Sequence, residues 1–316
     1  MALPKIPINI KTLTKVGQVF ESESNTDTVI EVLVDTSASR ALVTLSRTML
    51  MVRPNYAGLT VSSFGDQMPT LNKDADLIVV VAGTSDHLRR ILEITLWSEM
   101  RCVVFTEDAS ALLAAVPEED AVEIAKTIIE VDVEAPAEAL EHAFAQWCIS
   151  HLPDLRMTLG AAFPFMRRAV AGALTQQTSL ENAVIAAVFF LPGADMPLLT
   201  LNQSKLLYQI AVVNEIPLTR ERLADVALIV VAAFGLRGFT RLALRRMLPV
   251  GWLVRGAISF GATLAIGHLA HEMYSHGGGI VELVQEKMGN KPPETSDLTL
   301  LEEVRQSGAE QTSEAT

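Results

Sequence analysis

Three short runs of β-branched residues constrain this chain more than any other feature: TVIEVLV (Thr28 to Val34), ADLIVVVAG (Ala75 to Gly83) and RCVVFTE (Arg101 to Glu107). Each is ended by turn residues. The segments between them, SRALVTLSRTMLM and SDHLRRILEITLWSEM, repeat apolar residues at the three-to-four spacing of an amphipathic helix. Strands kept apart by helices cannot pair through tight hairpins, so the pattern predicts a mostly parallel, doubly wound sheet with helices on its faces. A fourth run, KTIIEVDV, precedes the Pro-initiated helix APAEALEHAFAQWCISHL. The expectation is an α/β domain over residues 28–152, behind an N-terminal arm and polar linker, ESESNTD, over 1–27.

After Pro153 the strand signals stop and the chain reads as helix throughout. A basic, apolar stretch sits between acidic flanks: residues 150–275 hold 11 Lys/Arg against 7 Asp/Glu, residues 1–149 hold 11 against 22, and residues 276–316 hold 3 against 8. Thr178 and Glu181 have the spacing of a capping box before NAVIAAVFFL, which predicts a helix start there. Pro192 and Gly193 then end the apolar run, Asp195 is placed to cap the next helix, and Pro197 fits its first turn, so the insert reads as the tip of a helical hairpin. Two more apolar helices are expected, Leu223 to Leu236 and Val250 to Ala270. An apolar helical domain over 153–276 is thus followed, over 277–316, by a short amphipathic segment and an acidic tail expected to be disordered.

The stretch FFLPGADMPLLTLNQSKLLYQIA, followed by LADVALIVVAAFGLRGFTRLALRRMLPVGWLVRGAISFGATLAIGHLAHEMY, resembles the bacterial membrane-associated helical domain-of-unknown-function family 697, often fused to Era-like GTPase domains. The likeness covers roughly residues 160–275, and its most specific parts are the Pro-Gly-Ala-Asp turn and the pair Asn202 and Gln203. It implies a domain architecture and a membrane location, with no established activity.

That resemblance raises the question of nucleotide chemistry in the α/β domain. A P-loop needs glycines, so that backbone N–H groups wrap phosphate, together with a Lys and a Ser/Thr. After the first strand this chain has VDTSASRAL, without glycine or lysine. Pro69 stands where an Asp-x-x-Gly switch beginning at Asp66 requires glycine. VVFTEDAS replaces the guanine-reading Asn-Lys-x-Asp, and Asn72-Lys73 precedes a strand instead of following one. The reading is a degenerate GTPase-like domain that binds no nucleotide cofactor.

The remaining signals are few. A formal net charge of −12 excludes general nucleic-acid binding. Cys102 and Cys148 lie without metal-ligand spacing and read as reduced core residues. His268, His271 and Glu272 sit at helical spacing, but without an H-E-x-x-H pattern they read as a helix end meeting water. No Ser, His and Asp stand in a nucleophile-elbow setting, so no catalytic residue is assigned. Arg237, Arg241, Arg245 and Arg246 form a candidate lipid or phosphate patch. Ala257, Gly261 and Ala265 form a small-residue ridge for close helix packing. Met1 to Phe20 interleaves Lys5, Lys11 and Lys15 with prolines, unlike a secretory leader.

The mean hydropathy of +0.31 and the long apolar segments predict membrane association, with the α/β domain in the cytoplasm. The functional expectation is a non-enzymatic membrane-associated scaffold that contacts lipids and a cytoplasmic protein partner and is compatible with a homo-oligomer. A GTPase-related regulator with a divergent loop, or a soluble helical interaction bundle, is the alternative.

Overall fold

A computed structural model describes residues 28–51, 57–188, 196–216 and 251–275. The chain begins as strand-helix alternation: β1 (Thr28–Asp35), α1 (Arg40–Met49), β2 (Ala57–Phe64), β3 (Leu77–Val81), α2 (Asp86–Trp97), β4 (Cys102–Thr106), α3 (Ala109–Ala114), α4 (Glu118–Ala125) and β5 (Ile128–Glu130). The five strands form one parallel sheet in the order β2-β1-β3-β4-β5. β3 and β4 are buried along their whole length, as expected of central strands covered on both sides. Alternate residues serve opposite faces. Ile78, Val80 and Val104 pack with Leu88, Ile91, Leu112 and Ile124. Val79, Val81 and Phe105 pack on the other side with Leu42, Met49, Leu140 and Phe144.

The strand β2 was not foreseen from sequence. It pairs with β1 from Thr28 opposite Ala57 to Asp35 opposite Phe64, but its residues Gly58, Thr60, Val61 and Ser63 are exposed. An edge strand with solvent on much of its surface has no need of a continuous apolar run, which removes the signal that marks its neighbours.

Beyond the sheet come α5 (Ala137–His151), α6 (Arg156–Ala162), a 3-10 turn (Pro164–Met166), α7 (Arg167–Val188), α8 (Met196–Val213) and α9 (Gly251–Ser275). α7 corrects one expectation. It runs through Thr178 and Glu181 without interruption, so these residues start no helix. Thr178 is buried, and Glu181 accepts a hydrogen bond from Gln177 Nε2, one turn back, at 3.1 Å. A capping motif stabilises only the residues at a helix end, and in the middle of α7 the backbone N–H groups are already bonded along the helix.

The sheet and the helices share a core. One cluster of buried side chains runs from Ile30 and Val79 through Phe105, Phe144 and Phe163 to Leu206, Ile210, Ala270 and Met273. Phe144 meets Phe105 edge-on, with ring centroids 5.6 Å apart, and Phe163 likewise at 6.1 Å. These edge-to-face contacts join the sheet to the first helices beyond it. The expected boundary between residues 152 and 153 therefore falls inside continuous packing.

Candidate functional site

In a parallel sheet of this strand order, the connections from β1 and β3 diverge and leave a crevice at the carboxyl ends of the two strands, the usual place for a ligand. Here the chain sets a carboxylate of its own against donors of that crevice. Asp35, the last residue of β1, is 1% exposed. Its Oδ1 accepts from the Ser37 N–H at 2.9 Å and the Ser37 hydroxyl at 2.6 Å. Its Oδ2 accepts from the Gly83 N–H at 3.2 Å and the Ser85 N–H at 3.1 Å, across the gap to the loop after β3. The Thr84 N–H donates to Ser37 Oγ at 2.8 Å.

Several further groups near this loop are bonded as well. Ser39 caps α1 by accepting from the Leu42 N–H, Ala38 N–H bonds the Asp35 carbonyl, and Thr36 N–H bonds Phe64 O of β2. Gly83 is required by proximity. A Cβ built there would lie 2.5 Å from the Ala38 nitrogen and against Ser37 Oγ.

Burial alone would raise the Asp35 pKa, but the hydrogen bonds from Ser37 and Ser85 outweigh it and hold the carboxyl below the usual carboxylate range. The group is a buried anion satisfied by converging N–H donors. That is the arrangement in which a phosphate would be bound, with a side chain in its place. In the sequence Asp35 is a negative charge at the mouth of the loop. Ser37 is a local partner, but Gly83 and Ser85 lie 48 and 50 residues away, so no local pattern announces them.

The knot borders a cavity of about 530 Å³ lined by the loops after β1, β3 and β4, with Ser37, Ser39, Gly83 and Ser85 among its walls. Leu88, Leu112 and Val116 line its apolar side, and Ser85, Arg89 and Asp108 its polar side. Arg89 is engaged by Glu93, and Asp108 caps α3 by accepting from the Ala111 N–H. The Asn72-Lys73 pair is at the other end of the sheet, where the Asn72 N–H donates to the buried Glu31 carboxylate. Among the described residues no group of three His, Cys, Asp or Glu could hold a metal ion. Burial pushes the Cys102 thiol up to about 12 and raises that of Cys148 too, so neither is a ready thiolate.

The helical region contains a second polar constellation, part of which the sequence pointed to. Asn202 Nδ2 donates to Asn182 Oδ1 at 3.0 Å, and Asn182 Nδ2 donates to Thr263 Oγ1 at 3.0 Å. Gln203 Nε2 reaches the same Thr263 oxygen at 3.3 Å. The chain of amides and hydroxyl ties α7, α8 and α9 together, with Asn182, Gln203 and Thr263 all at 0% exposure.

The small-residue ridge expected on α9 is not the face that crosses α7. Ala257, Gly261 and Ala265 are exposed, and a Cβ added at Gly261 would meet nothing within 4 Å. The close crossing with α7 belongs to Gly256 and Gly267: a Cβ at Gly256 would lie 3.2 Å from Ala183 O, and one at Gly267 would fall against Thr175 Oγ1 and 2.8 Å from Thr175 Cβ. Pro197 stands in the first turn of α8. Pro192, Gly193, Asp195, Arg237, Arg241, Arg245 and Arg246 lie outside the described residues.

By length and composition, α9 from Trp252 to Ser275 is apolar enough to cross a membrane, with a mean hydropathy of 1.3 and 33% of that stretch buried. Buried helices of soluble proteins reach the same values. Comparison with known proteins gives no matching family model and no matching curated protein.

Proposed function

We propose that the protein is a non-enzymatic, membrane-associated scaffold built on a doubly wound, GTPase-like domain that binds no nucleotide. The observation that carries this reading is the Asp35 knot. A triphosphate needs free N–H donors and a compensating cation at the ends of β1 and β3. Here the donors of Ser37, Gly83 and Ser85 are bonded to a carboxylate of the chain itself. A nucleotide would have to displace that carboxylate and then lie beside its charge.

The membrane half of the proposal is supported by the composition of α9 and by the resemblance of residues 160–275 to a membrane-associated helical family. With the donors of that crevice engaged by Asp35, the outer surface of the α/β domain is the means of contact we propose, which suits a cytoplasmic protein partner.

Two measurements on the full chain test the proposal. Calorimetric titration with GTP or ATP and magnesium should give no binding at millimolar nucleotide. A micromolar Kd, abolished by Arg40→Ala, would establish the GTPase-related alternative. Fractionation after lysis should place the chain with membranes, and a monodisperse soluble protein without detergent would favour a helical interaction bundle.

A further inference from the structure

The cavity bordered by the Asp35 knot opens at the carboxyl ends of β1, β3 and β4, where sheets of this kind take up small molecules. Its volume of about 530 Å³ lies within the roughly 300–1,000 Å³ usual for such sites. The apolar side is an outcrop of the core. Leu88 of α2, Leu112 of α3 and Val116 just after α3 are all buried in the cluster that covers this face of the sheet.

The polar side is acidic. Asp86, Glu107 and Asp108 stand along it, all three exposed, and among the described residues Arg89 is its one basic side chain. Arg89 is taken by Glu93, at 2.8 Å. The Ala111 N–H and then the Ser110 hydroxyl donate to Asp108 and hold it below the usual carboxylate range, so it is ionised at neutral pH. On the wall toward β1, the Ser37, Gly83 and Ser85 N–H groups are spent on Asp35, which adds a buried negative charge behind them.

We infer that this cavity binds a small organic cation, an ammonium group on an apolar body. The body lies against Leu88, Leu112 and Val116, and the charge is directed to Asp86, Glu107 and Asp108. This site goes beyond the scaffold reading and needs no part of its membrane half.

Charge and spacing select that class over its rivals. An anion would meet three carboxylates with the one cation of the lining already paired. A neutral apolar molecule would strip water from those carboxylates and give them no partner in exchange. A bare metal ion needs its ligands gathered, and among the described residues no group of three His, Cys, Asp or Glu is close enough to hold one. An extended cation with an apolar body suits both sides of the cavity at once.

The test is calorimetric titration of the purified full chain with 2-phenylethylammonium and with its anionic counterpart of similar shape, 3-phenylpropanoate. The ammonium probe should bind saturably at millimolar concentration, and the carboxylate probe at least tenfold more weakly. Asp86→Asn combined with Glu107→Gln should weaken the ammonium probe at least tenfold. Ala111→Phe, at an exposed position on the wall, should block it by filling the cavity. Both variants should keep the wild-type melting temperature and far-UV circular dichroism. Glu138→Gln, on α5 across the sheet, should leave binding unchanged. Equal or tighter binding of 3-phenylpropanoate would overturn the charge assignment. Ammonium binding that survives both cavity variants would place it elsewhere and overturn the site, as would a wild-type chain that binds neither probe.

Discussion

Asp35 concentrates the chemistry of the α/β region in one side chain. Its carboxylate receives three backbone N–H groups and a hydroxyl, and removing it would leave those donors buried without an acceptor. Asp35→Ala should therefore destabilise the protein by about 2–3 kcal/mol. Because its folded pKa is depressed, the stability it adds is present above the unfolded value, near 3.9. That stability is lost as pH falls through the folded value. Urea denaturation should show wild type exceeding Asp35→Asn by a constant margin from about pH 7 to 5, with the gap closing below about pH 4. A gap that widens on acidification would contradict the knot. The sequence offered Asp35 and the missing glycines after β1. Gly83 and Ser85 could be joined to Asp35 only once β1 and β3 were known to be neighbours.

At the scale of elements, legibility followed burial. β1, β3 and β4 announced themselves because sheet strands covered on both faces must be apolar along their length. β2 went unread because half of it is wet, and α3 and α4 because six and eight residues are too few to show a period. α9 carries small residues in two registers, Ala257-Gly261-Ala265 and Gly256-Thr263-Gly267. Spacing alone cannot say which faces α7. The buried hydroxyls of Ser259 and Thr263 belong to the second face, which is the one that meets α7. Gly267→Ala should lower stability by about 1–3 kcal/mol, since its Cβ would press on the Thr175 backbone-attached carbon. Gly261→Ala meets open space in a helix interior and should raise stability by about 0.5–1 kcal/mol. Thermal melts of the two variants decide between the registers, and the reversed order of effects would restore the first.

For the molecule as a whole, the shared core from Ile30 to Met273 predicts that sheet and helices unfold together. Differential scanning calorimetry should give one transition whose calorimetric and van't Hoff enthalpies agree. Two resolved transitions would show that the Phe105, Phe144 and Phe163 contacts couple the regions only weakly. The sheet topology also bears on how the chain reaches this state. β1, the first strand among the described residues, ends as a central one, with Thr28 beside Ala57 and Ile30 beside Leu77. Every strand pair in the sheet is parallel, so none forms from a local hairpin, and each must wait for a crossover to close. During synthesis the Val- and Ile-rich β1 is therefore exposed without β2 until about thirty further residues have emerged, and without β3 until nearly fifty have. This central strand is thus a nascent-chain liability, and a chaperone would have a use there.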